Sequence, residues 1–150
     1  MSMFSSCSAL MQAPSLPATT LADSCYMSMF EGCTALTQAP SLPATTLAES
    51  CYYSMFAMCT ALTQAPEIKT YTPDLYAYAG MLDIFNSITE GQFTCIWSDL
   101  TLSEVERMVL NESIFGYINF ETNVRISITC KDGSGIAYYN SENWSWVFEY

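Results

Sequence analysis

TLADSCYMSMFEGCTALTQAP (Thr20–Pro40) returns as TLAESCYYSMFAMCTALTQAP (Thr46–Pro66), displaced by 26 residues. An earlier, shorter copy precedes both: MSMFSSCSALMQAPSLPATT (Met1–Thr20) matches MSMFEGCTALTQAPSLPATT (Met27–Thr46). A fixed period of this size is the signature of a solenoid, whose units bury their apolar faces only against neighbouring units. Equivalent residues then stand over one another. Leu10, Leu36 and Leu62 form one column, and Ala13, Ala39 and Ala65 another.

Each unit divides into two halves. Thr20 with Asp23, and Thr46 with Glu49, have the spacing of a capping box, in which hydroxyl and carboxylate satisfy the free amides at a helix start. Leu21, Cys25 and Met29 recur at four-residue steps, with Ala22, Tyr26 and Phe30 beside them. This spacing predicts a short helix with one apolar stripe. Gly32 falls where a left-handed residue often ends a helix; Ser6 and Met58 hold that place in the other copies. The second half, LTQAP, reads as a short extended segment flanked by Pro40 and Pro43, which forbid helix and withdraw backbone donors. The period fades beyond Pro66. Tyr78, Met81, Leu82 and Ile88 still fall on repeat positions, and Thr72-Pro73 opens a third predicted helix at about Pro73–Asn86.

From Gly91 the text changes. Phe93–Trp97 and Val124–Cys130 alternate as strands, and Lys131–Gly135 carries an Asp-Gly hairpin signal. Ile136–Tyr139 returns, and Trp144–Tyr150 adds a last strand. Thr101–Glu104 is a capping box ahead of a helix, Leu102–Leu110, with Val105, Met108 and Val109 on one face. The predicted organisation is an α/β repeat over residues 1–90, closed by a small α+β capping domain over residues 91–150.

The formal net charge is -11, with no histidine. Lys69, Arg107, Arg125 and Lys131 are the only cations, which excludes nucleic acid as a direct ligand, because phosphates would be repelled. Residues 1–66 carry only Asp23, Glu31 and Glu49, so their exposed side relies on Ser, Thr and Gln for solubility. No run of about 20 apolar residues spans a membrane. Met1–Ala18 lacks the basic start and apolar core of a secretory signal. A surface or virion location is expected for a piece of a longer or phage protein, and a cytoplasmic one for a complete chain.

Of seven cysteines, Cys7, Cys33 and Cys59 form one ladder and Cys25 and Cys51 another, with Cys95 and Cys130 outside the period. Three thiols in one ladder cannot all pair, and cysteine is also a good small buried hydrophobe, so free structural thiols are expected. No C-x-x-C or histidine completes a zinc site, and a cysteine nucleophile would lack its usual base. Glu104 and Glu106 are two apart on a helix and do not face each other as an acid/base pair. No cofactor, metal or catalytic role is assigned.

The phrase MF-x-x-C-x-x-L-x-x-AP-x-LPATTLA-x-SCY resembles the repeats of BspA-like leucine-rich-repeat proteins, surface and secreted proteins of gut and oral bacteria. The resemblance is closest over Met3–Pro66 and extends to about Ile88. ITCKDGSGIAYYN (Ile128–Asn140) resembles segments that close some of these proteins. The resemblance implies a right-handed leucine-rich-repeat solenoid with a ladder of short parallel strands, and a role in adhesion or protein binding.

The expected function is therefore a non-catalytic module that recognises a protein or glycan through its repeat face. Positions that differ between copies are the candidate contacts: Met27 against Tyr53, and Glu31 against Ala57. The alternative is an acidic inhibitor from a phage or mobile element, blocking a basic cleft with the charge of Glu90–Glu121. Self-association through the uncovered N-terminal unit is a further expectation.

Overall fold

The computed structural model describes residues 2–72, 77–78, 90–111, 114–115, 123–140 and 142–150. Its regular elements are β1 (Glu90–Trp97), α1 (Leu102–Asn111), β2 (Asn123–Cys130), β3 (Gly133–Asn140) and β4 (Ser145–Glu149). They make one mixed sheet in the order β1-β2-β3-β4. β1 and β2 are parallel, joined across α1, and the other pairs are antiparallel.

This corrects the expected fold class. The protein is a small four-stranded mixed sheet with one short helix, and not a leucine-rich-repeat solenoid. Residues 2–72 contain no helix and no strand longer than a single bridge. The third predicted helix, Pro73–Asn86, lies outside the described residues except for Ala77 and Tyr78.

The helix expected at Thr20–Gly32 fails for a definable reason. Ser24 and Ser28 have φ of 54° and 52°, left-handed values that no α-helix admits. Ser50, Ser54 and Met58 repeat the feature at 53°, 50° and 59°. The backbone therefore advances by successive tight turns. Alternate amides close these turns locally: Cys25, Met27 and Met29 donate to the carbonyls of Ala22, Ser24 and Tyr26. The amides between them point to the next copy: Ser24, Tyr26, Ser28 and Phe30 donate to Glu49, Cys51, Tyr53 and Met55. A four-residue apolar spacing serves this conformation as well as it serves a helix.

Like residues consequently meet across copies. The Phe4 and Phe30 rings stack at 5.6 Å, and Phe30 and Phe56 at 5.5 Å. Tyr26, Tyr52 and Tyr78 form a second column, at 6.1 and 5.5 Å. Isolated parallel bridges join Gln12 to Gln38, Thr20 to Thr46 and Leu42 to Ile68. Leu36 and Leu62 are fully buried, and Leu10, at the uncovered side, packs against them only in part.

The sheet docks on the last copy. Gln64 bridges Thr94 of β1, and the Trp97 indole N–H donates to the Pro66 carbonyl at 2.9 Å. β2 alternates cleanly, with Val124, Ile126, Ile128 and Cys130 inside and Arg125, Ser127 and Thr129 outside. In α1, Val105, Met108 and Val109 are buried. Here the capping box forms as the sequence suggests. The Thr101 amide donates to the Glu104 carboxylate at 2.8 Å, and the Glu104 amide donates back to the Thr101 hydroxyl at 3.3 Å. Trp97 stacks on Phe115, which meets Trp146, so these aromatics are core and sheet-face residues.

Phe30 has a ring on both sides and is fully buried, whereas Phe4 has one on a single side. Phe30→Ala is expected to cost about 3–5 kcal/mol in urea unfolding, and Phe4→Ala less than half as much. Met58 is half exposed and left-handed where the neighbouring copy has Gly32. Met58→Gly is expected to stabilise by about 1 kcal/mol in the same assay.

Candidate binding face

Gln12, Gln38 and Gln64 recur at the period and are all exposed. Parallel bridges hold Gln12 against Gln38, and Gln64 against Thr94. The chain is pinned in register: the Thr37 amide donates to the Met11 carbonyl at 3.2 Å, with the Thr37 hydroxyl on the same oxygen at 3.3 Å. At the other end of the row, the Thr94 amide donates to the Thr63 carbonyl and the Ala65 amide to the Thr94 carbonyl. Small alanines beside the glutamines leave room between the rungs.

Two clefts result. One, of about 290 Å³, lies between Thr37-Gln38-Ala39 and Thr63-Gln64-Ala65. The other, of about 280 Å³, lies between Gln12-Ala13 and Gln38-Ala39, and is extended by Ser15, Leu16, Pro40 and Ser41. Neither cleft is lined by an ionisable side chain. Each glutamine amide offers both donors and an acceptor, so the row can meet a neutral partner that does the same. At this size the clefts hold short polar groups, below the range of most enclosed small-molecule sites, about 300–1,000 Å³.

The contact residues expected from sequence lie elsewhere. The Ser28 amide bonds the Tyr53 carbonyl, which sets Met27 beside Tyr53, and both are exposed. Glu31 is half-buried and Ala57 is buried. The four therefore make one small exposed pair and no continuous surface. All four stand at positions that vary between copies. The glutamines carry the opposite signal: a polar residue kept unchanged at every copy although it contributes nothing to the core.

The thiols are structural in their contacts. All seven are free; Cys33, Cys51, Cys59, Cys95 and Cys130 are buried, Cys25 is half-buried and Cys7 exposed. The Cys33 and Cys59 thiols donate to the carbonyls of Phe4 and Phe30 at 3.1 and 3.2 Å. Burial pushes the Cys59 thiol up to about 12 and the Cys51 thiol up to about 11, since a thiolate there would lose its hydration. Among the described residues no three His, Cys, Asp or Glu side chains come together as metal ligands. Among them too, no helix is long and apolar enough to cross a membrane.

No known family, curated protein or solved structure matches the chain.

The buried thiols give stability a pH dependence. Their folded values lie above the ordinary 9.0, so their contribution is intact below pH 9 and is lost as pH rises toward 11–12. The urea midpoint should hold up to about pH 9 and then fall, and Cys59→Ala should make that fall shallower. A midpoint independent of pH over this window would contradict the assignment.

Proposed function

We propose that the protein is a non-catalytic binding module whose glutamine row recognises a neutral, hydroxyl-rich chain, that is, a glycan. The observation that carries this reading is the recurrence of exposed Gln12, Gln38 and Gln64 at the period, with a backbone bridge between Gln12 and Gln38, another between Gln64 and Thr94, and uncharged clefts between the copies. Sugar hydroxyls donate and accept, as carboxamides do, and neither partner sheds a charge shell on contact. The backbone fixes the spacing of the glutamines, while each exposed side chain still gives up rotamer freedom on contact, which favours weak but regular contacts along an extended ligand.

Titration of the protein with a panel of neutral and acidic soluble polysaccharides, followed by calorimetry, tests this. Binding to a neutral polymer is expected, and Gln38→Ala combined with Gln64→Ala should weaken it at least about tenfold, because two rungs of hydrogen bonds are lost. The same double variant should leave the unfolding midpoint nearly unchanged, both side chains being exposed. Equal affinity in the variant, or no neutral polymer bound at millimolar repeat units, would refute the proposal.

A further inference from the structure

The glutamine row does not stop at the last copy. Gln64 is bridged to Thr94 of β1, and partners across a parallel bridge turn their side chains to the same side. Thr94 is in turn paired with Ser127 of β2. Gln12, Gln38, Gln64, Thr94 and Ser127 are therefore successive positions on a line that crosses the chain from segment to segment. Each bridged step on it is about 4.8 Å. At the step from Gln38 to Gln64 the cleft of about 290 Å³ opens.

Burial identifies the side of the sheet on which the line runs. Phe93 and Cys95 of β1 and Ile126 and Ile128 of β2 are buried, whereas Ser127 is exposed and Thr94 half-buried. The line thus emerges on the outer face. Charge beside it is balanced. The Arg125 guanidinium, in the adjacent cross-strand row, lies 3.4 Å from the Glu149 carboxylate and 5.1 Å from the centre of the Tyr138 ring. The Tyr138 hydroxyl donates to the other oxygen of that carboxylate at 3.2 Å. From Gln12 to Ser127 the line itself carries no ionisable group, although the chain has a net charge of -11. A neutral ligand can meet such a line with no charge to desolvate.

We propose that the outer face of the sheet continues the glycan-binding face, so that an extended neutral glycan lies across the strands and the Thr94 and Ser127 hydroxyls contact it beyond Gln64. This inference rests on the reading of the glutamine row, and adds to it the direction of the ligand and a share for the C-terminal sheet. A hydroxyl donates and accepts as a carboxamide does, so serine and threonine can extend the same contacts. A polypeptide strand fits the line less well. It adds to a sheet at an edge and along the strands, where main-chain N–H and C=O groups are unpaired. At Thr94 those groups are engaged, since its amide donates to Thr63 and its carbonyl accepts from Ala65, while β2 holds the other side of β1. Only side chains remain for contact, and a ligand made of hydroxyls needs nothing else.

The test is calorimetric titration of the full chain with dextran, a soluble mixed-linkage β-glucan and a galactomannan. Thr94→Val combined with Ser127→Ala is expected to weaken the best-bound polymer at least about fivefold, because two hydroxyl contacts are lost. Valine keeps the branched shape of threonine and Ser127 is exposed, so the unfolding midpoint should stay close to that of the unaltered chain. Thr129→Val, exposed on the same face but off the line, should leave the affinity within about twofold. In the unaltered chain, the polymer should shift the amide resonances of Thr94 and Ser127 together with those of Gln38 and Gln64. Undiminished affinity in the Thr94 and Ser127 variant, or resonance shifts confined to the glutamines, would overturn this inference and leave the glutamine row standing. An equal loss from Thr129→Val would overturn the direction of the line. Binding of none of the polymers would overturn both readings.

Discussion

The structure depends on where every second backbone amide points. In Thr20–Gly32 a left-handed serine at every fourth residue prevents the helix from propagating and turns alternate N–H groups outward. An unpaired buried amide is costly, so these groups need an acceptor. The next copy provides one at each step, because its carbonyls lie at the same spacing. The aromatic columns then follow. Phe4, Phe30 and Phe56 stack because their backbones are already locked at one register. Serine is suited to the left-handed positions by being short and polar, although glycine would adopt them at less cost.

Much of the C-terminal half was legible in the sequence. The alternation of Val124–Cys130, the Asp-Gly turn and the capping box at Thr101–Glu104 each have a local cause, and each appears where that cause acts. The same box pattern at Thr20–Asp23 misleads. A capping box stabilises a helix only if the following residues keep right-handed φ, and Ser24 and Ser28 do not. The four-residue apolar period did not discriminate either, because a chain of tight turns presents side chains to a core at that spacing too. Which residues would meet was readable from the 26-residue period; the conformation between the meeting points was not.

The contact positions read from differences between copies are Met27, Glu31, Tyr53 and Ala57, of which the structure exposes Met27 and Tyr53. Ala57 is interior, and its carbonyl accepts from the Gly32 amide of the neighbouring copy. The glutamines are exposed and unvarying. Their placement depends on bridges between distant residues, Gln12 to Gln38 and Gln64 to Thr94, and no local rule of the chain specifies those bridges.

The one-way sense of hydrogen bonding in the turn half also has an electrical consequence. Peptide dipoles that align from copy to copy add, as they do along a helix. Their negative pole lies on the side of the Asp23, Cys25 and Met27 carbonyls, and their positive pole on the side that faces the later copies. The two sides of the stack are therefore electrostatically unequal.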